Sequence, residues 1–258
     1  MRVSIGDGSK PTLSLQDKPN KTPRLLVTSP TSAGGGGVDL GFVETTGPNS
    51  CGSFLLDGNS LSSAQYNANA AFDFGTGPFT IEWWQYQTDS HSFPRVFARG
   101  SYVGGSTLGL SIEGGSVYFW DNSAHGLGTI YNYKNAWMHF AITRSVDNKL
   151  RFFLNGTLVS TTDNYTHDFA TSSDPLMIGQ EGNPSTASSF GGYITNFHVM
   201  KGAARYISAF TPSTSPLKMT NKTVFMLYAL NATDVSKDET NTVAGSSNVT
   251  WDSSNPFA

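Results

Sequence analysis

Hydrolytic or metal chemistry needs particular residue types at particular spacings. A glycosidic bond is cut between two carboxylates about 5–9.5 Å apart, a nucleophile needs a base within hydrogen-bond reach, and zinc needs several nitrogen or sulfur ligands. The chain supplies few of these. Glu82 is followed by Trp83, Trp84 and Gln85, with no acid at the alternate positions that would share its strand face. Glu113 has neutral neighbours until Asp121, and Asp163 and Asp168 have the wrong parity for one face. The five histidines, His91, His125, His139, His167 and His198, include no His-Glu-x-x-His pattern. The single Cys51 excludes an internal disulfide framework and a thiolate zinc cluster, has no histidine beside it, and reads as a small buried filler. Calcium wants six to eight oxygens. Asp57, Asp73 and Asp121 fall at strand ends where loops could add carbonyls, but no dense Asp/Asn loop surrounds them. No resident cofactor is therefore expected, and a structural calcium stays open.

What the chain has in quantity is rings. Aromatics make up 12% of the residues, and several fall on the strand face opposite the apolar one: Trp84, Tyr86 and Phe153, with Tyr118 and Trp120 on a further strand. Flat rings suit the apolar faces of sugars, and Glu82, His139 and Arg151 on the same rows could bond hydroxyls. These seven residues, Trp84, Tyr86, Tyr118, Trp120, His139, Arg151 and Phe153, form the candidate glycan site. The alternative is that long loops or a neighbouring subunit cover the rings. A sugar of about a dozen heavy atoms at ~0.3 kcal/mol each would bind in the millimolar range, so useful attachment would need many copies.

These side chains must be positioned by strands. Phe79, Ile81 and Trp83 alternate, as do Leu108, Leu110 and Ile112, then Met138, Phe140 and Ile142, then Leu150, Phe152 and Leu154. Alternation places His139 away from the core, as a surface or groove histidine. Asn155-Gly156 follows Leu154 and leads into Thr157–Thr161, the pattern of a hairpin with positive φ at both turn residues. Gly202-Ala203-Ala204-Arg205 could form at most a helical turn. Many short alternating strands with turn chemistry between them predict an all-β fold, a two-sheet antiparallel β-sandwich or jelly roll.

Composition narrows the class. Lys and Arg number 16 against 19 Asp and Glu, and charged residues are only 14% of the chain, so a cationic nucleic-acid binder is excluded. No apolar run reaches the ~18 residues of a membrane span, and the opening residues lack the apolar core of a signal peptide, so neither membrane insertion nor secretion by that route is expected. Residues 1–45 are punctuated by prolines and by Gly34–Gly37, which are not followed by the Lys-Ser or Lys-Thr of a phosphate loop. They are read as a flexible arm, with Arg24–Thr28 as a short strand within it, and residues 46–258 as one domain.

The order of short motifs from residue 53 onward resembles laminin-G-like, concanavalin A-like jelly-roll domains. The matching segments are Ser53–Gly58, Phe72–Trp84, Trp137–Arg144, Leu150–Val159, Ile178-Gly179 and Phe190–Gly202. Ala204-Arg205-Tyr206, Phe210-Thr211-Pro212, Ser215-Pro216-Leu217 and Asn255-Pro256-Phe257 are similar to the subgroup found in phage and large DNA virus structural proteins. Pro78 and His198 depart from that pattern, which usually has an acid and an Arg at those places. The resemblance implies a jelly roll with glycans on the exposed face of its concave sheet. Its retaining hydrolases carry Glu-x-Asp-x-x-Glu on one strand, which is absent here, so no enzyme is expected. It also implies a virion structural or surface protein docking onto capsid or fibre subunits, located in the virion. The alternative is a lectin-like module that binds host glycans, in an extracellular setting.

Overall fold

The computed structural model describes residues 42–257, apart from 46, 60, 69, 90, 102–107, 232–244 and 248. The expected arm, up to residue 41, and the strand expected at Arg24–Thr28 therefore lie outside the described residues. The last residues assigned to that arm are paired with the domain. Val43 N–H donates to Asn221 Oδ1 at 2.8 Å, and Thr45 N–H donates to Met219 O at 2.7 Å.

The described chain is all-β. In order, the strands are β1 (Ser53–Asp57), β2 (Ser63–Tyr66), β3 (Phe79–Gln87), β4 (Arg95–Arg99) and β5 (Leu108–Glu113). Next come β6 (Ser116–Trp120), β7 (Ala124–Thr129), β8 (Met138–Arg144), β9 (Leu150–Leu154) and β10 (Thr157–Thr162). The last are β11 (Leu176–Ile178), β12 (Gly191–Lys201), β13 (Thr223–Leu227), β14 (Gly245–Ser247) and β15 (Val249–Asp252). Among the described residues there are only short 3₁₀ turns besides, and none falls at 202–205. No helix of the described residues is long and apolar enough to cross a membrane.

Two sheets result. The first runs β10-β9-β8-β3-β12-β1-β15, with β13 also paired to β12; the second runs β14-β2-β11-β4-β5-β6-β7. Every strand pairing is antiparallel. The alternating apolar residues meet between the sheets. Trp83 stacks on Phe140 with centroids 5.3 Å apart and meets Phe97 of the other sheet edge-on at 5.6 Å. Phe79 faces Phe119 at 6.2 Å. Such offset and edge-on ring pairs add to the burial of some of the largest side chains in the core. The expected hairpin is present: Asn155 and Gly156 have φ of 48° and 77°, and β10 returns along β9.

One irregularity decides what the first sheet presents outward. Thr195 lies opposite Trp84, but His198, three residues on, lies opposite Glu82, only two residues back. The extra residue is a β-bulge at Asn196, whose φ is 52°. The bulge turns Phe197 inward onto Trp83, at 5.7 Å, and turns His198 outward beside Glu82. Strict alternation would have exchanged the two.

Candidate functional site

The outward row of β3 is Thr80, Glu82, Trp84 and Tyr86, and its surroundings change character halfway along. At the Glu82 end, a strap of residues 203–217 crosses the sheet. Thr80 Oγ1 donates to Ala203 O at 3.1 Å and accepts from Arg205 N–H at 2.8 Å. Thr143 Oγ1 donates to Tyr206 O at 2.8 Å, and Leu217 N–H donates to Asn196 Oδ1 at 2.7 Å. Tyr206 and Phe210 stack with centroids 3.5 Å apart and roof Phe153 and His139.

Glu82 is wholly buried beneath this roof. Tyr206 Oη donates to its Oε2 at 2.8 Å, and His198 Nδ1 donates to its Oε1 at 2.9 Å. His139 Nε2 lies 3.3 Å from Oε2, in ion-pair range without hydrogen-bond alignment, and Arg205 Nε lies 3.6 Å from Oε1. Burial alone would raise the Glu82 carboxyl. The Arg205 charge, with His139 and His198, outweighs it and holds the group well below its ordinary value. Burial pushes the His198 imidazole down, against the pull of Glu82. Its neutral form fits the contacts, with Nδ1–H on Glu82 and Nε2 accepting from Thr223 Oγ1 at 2.7 Å. Burial, reinforced by Glu82, pushes the Tyr206 phenol well up.

At the other end the sheet is open. Trp84, Tyr86, Trp137 and Tyr193 are all half-buried. Tyr86 packs edge-on to Trp137 and to Tyr193, each at 5.9 Å. Phe257 stands edge-on to Trp84 at 5.8 Å. Beside these rings runs a groove of about 440 Å³ lined by Trp84, Trp137, Phe257, Asn155, Ser213, Thr214 and two prolines. The Trp84 indole N–H has no hydrogen-bond partner among the described residues. The Asn155 side chain is oriented by β8, since Oδ1 accepts from His139 N–H at 2.8 Å and its amide lies 2.9 Å from Met138 Sδ.

Only Trp84 and Tyr86 of the seven expected site residues lie at this open end. His139 and Phe153 are fully buried under Tyr206 and Phe210, so His139 is not the surface or groove histidine that alternation predicts. Arg151 is 8% exposed and bonds Ser145 and, at 2.9 Å, Asp147. Glu82 cannot reach a sugar, being enclosed by its four partners. Tyr118 and Trp120 stand on β6, in the other sheet and so on the opposite outer face of the sandwich. There the Trp120 indole N–H donates to Ser111 Oγ at 2.9 Å, and the Arg95 guanidinium lies 4.7 Å from the ring centre. Conversely, sequence reasoning missed Trp137, Tyr193 and Phe257. Trp137 shares the parity of His139 and could have been found by extending the β8 alternation; nothing local marks Phe257.

The three aspartates considered for calcium sit apart. Asp57 holds Asn59 and Ser62, Asp73 pairs with Arg99 at 2.9 Å, and Asp121 is bonded by His125 Nε2 at 2.7 Å and by Tyr165 Oη. Among the described residues no group of three His, Cys, Asp or Glu side chains is arranged to hold a metal. Cys51 is a buried filler, with the Asn196 amide 3.1 Å from its sulfur.

Comparison with known sequences gives one family. The model of the family described as the concanavalin A-like lectin/glucanases superfamily matches residues 57–205. No curated protein matches. Among solved structures, the chain is similar to the native heptameric SAP-like pentraxin from Limulus polyphemus, at 14% identity, with a TM-score of 0.41 and coverage of 69% of this chain and 92% of that one. It is similar to the binding domain of Paraclostridial Mosquitocidal Protein 1 at 16% identity, TM-score 0.46, covering 68% and 44%. It is also similar to domain 4 of an extracellular arabinanase from Geobacillus stearothermophilus, solved with arabinotriose, at 13% identity, TM-score 0.45, covering 63% and 76%.

Proposed function

Since the chain belongs to the concanavalin A-like lectin/glucanases superfamily, we propose that it is a non-catalytic carbohydrate-binding domain whose site is the open end of the first sheet. One observation carries this reading: partly exposed Tyr86, Trp137 and Tyr193 form a cluster of rings, and Trp137 together with Trp84 and Phe257 lines a groove whose rim offers hydroxyl and amide groups. Rings bind the C–H faces of a sugar, and a few convergent polar groups fix its orientation. Affinity per site is low, on the order of millimolar, so attachment works through many copies.

The non-catalytic part is supported by Glu82. It is the acid on this face of β3, and it is sealed under the strap with four partners, so it is unavailable as a general acid or nucleophile for a groove-bound glycan.

Host-surface glycans are the ligands we propose, with an extracellular or virion-surface location. Docking onto capsid or fibre subunits is a separate proposal that rests on the motif resemblance. A mass-spectrometric inventory of purified particles tests it, and absence of the chain from them overturns it. For the glycan site, Trp137→Ala, which lies at the surface end of the ring cluster, should leave the chain folded by circular dichroism, at some cost in urea midpoint from lost contacts to Tyr86 and Tyr193, and abolish retention on immobilised oligosaccharides. Unchanged retention would remove the site from this groove.

A further inference from the structure

We infer that the groove accepts uncharged sugars and turns away acidic ones, namely sialylated, uronate-containing and sulfated glycans. This rests on the glycan reading above and adds a ligand class to it. Among the described residues, the groove is lined by rings, prolines, two hydroxyl side chains and an amide, and by no ionisable side chain.

Basic side chains of the first sheet and its flanks are engaged elsewhere. Arg205 is held by Glu44 and Glu82, and Arg151 by Asp147. Arg144 donates to the carbonyls of Gly75, Gly77 and His167. Lys134, three residues before Trp137, has its Nζ 5.6 Å from the centre of the Tyr133 ring. Beside the Trp84 ring on the same sheet face is His139, centroids 5.1 Å apart, and beside His139 is the anionic Glu82.

A carboxylate or sulfate entering such a groove loses water and meets only neutral donors. An anion that is desolvated without a cationic partner binds poorly. A neutral hexose loses no comparable hydration, and its hydroxyls can be met by Asn155, Ser213 and Thr214 while its C–H face lies on a ring.

The test is an array on which each neutral oligosaccharide core is printed alone and also capped with sialic acid, glucuronic acid or sulfate. The full chain is probed in about 0.15 M salt, and only signal lost in Trp137→Ala is read. The expected result is retention of neutral cores, with acidic counterparts at least about tenfold weaker. Thr214→Lys, which adds a cation at an exposed rim position, should bring acidic glycans up towards the neutral ones. Trp137-dependent binding of an acidic glycan as strong as its neutral core overturns the inference and leaves the glycan reading standing. Absence of Trp137-dependent signal on every glycan overturns both.

Discussion

At the scale of single residues, Glu82 is the most consequential side chain in the first sheet. A buried carboxylate is costly unless paired and hydrogen-bonded, and here two strands and the strap converge on it. Removing one member of such a buried set leaves its partners uncompensated, at a cost of about 3 kcal/mol or more. Glu82→Gln is therefore expected to lower the urea midpoint by that equivalent without changing the slope, as measured by equilibrium denaturation; a loss below about 1 kcal/mol would mean that the cluster contributes little. His198 adds a pH dependence. Its folded value lies below the unfolded ~6.5, so the unfolded chain takes up a proton that the folded one refuses. Stability is then intact above about pH 6.5 and falls as the pH drops below it, by at most about 1.4 kcal/mol per unit. Glu82, also depressed, adds a loss of the same sign below about pH 4.3. Urea midpoints between pH 7.5 and 5 should fall more steeply for the native chain than for His198→Gln; equal slopes would contradict the assignment.

At the scale of elements, the sequence was legible where one strand's alternation suffices. Phe79, Ile81 and Trp83 do face the core, and Asn155-Gly156 does turn the hairpin. Three things were not legible, each for a physical reason. Alternation reports which face of a strand a residue occupies but not which sheet the strand joins, so it cannot separate Tyr118 and Trp120 from Trp84 and Tyr86, although they lie on the other outer face. A bulge reverses parity without a periodic signature, so nothing announced that His198 would stand beside Glu82. The strap of residues 203–217 has no repeat of its own, because its hydrogen bonds go to distant strands, and it covers His139 and Phe153. The hairpin and the strap are coupled. Gly156 has φ of 77°, its carbonyl accepts from Phe210 N–H at 2.9 Å, and a Cβ there would overlap Phe210 O. Gly156→Ala should cost more than about 2 kcal/mol and raise hydrogen exchange at Phe210 selectively. Unchanged protection there would show that the strap is held without the turn.

At the scale of the molecule, the first sheet's outer face is divided between a sealed, charged half and an open, aromatic half. The sealed half anchors the strap and removes the acid of that face from solvent, while the open half leaves a neutral groove bounded by Trp84, Trp137 and Phe257. The most direct measurement is a titration of the native chain, Trp137→Ala and Trp120→Ala with neutral oligosaccharides, followed by indole fluorescence. Saturable, millimolar-range binding is expected for the native chain and for Trp120→Ala, and none for Trp137→Ala. Binding that persists in Trp137→Ala and disappears in Trp120→Ala would contradict it, by moving the ligand to the opposite face of the sandwich.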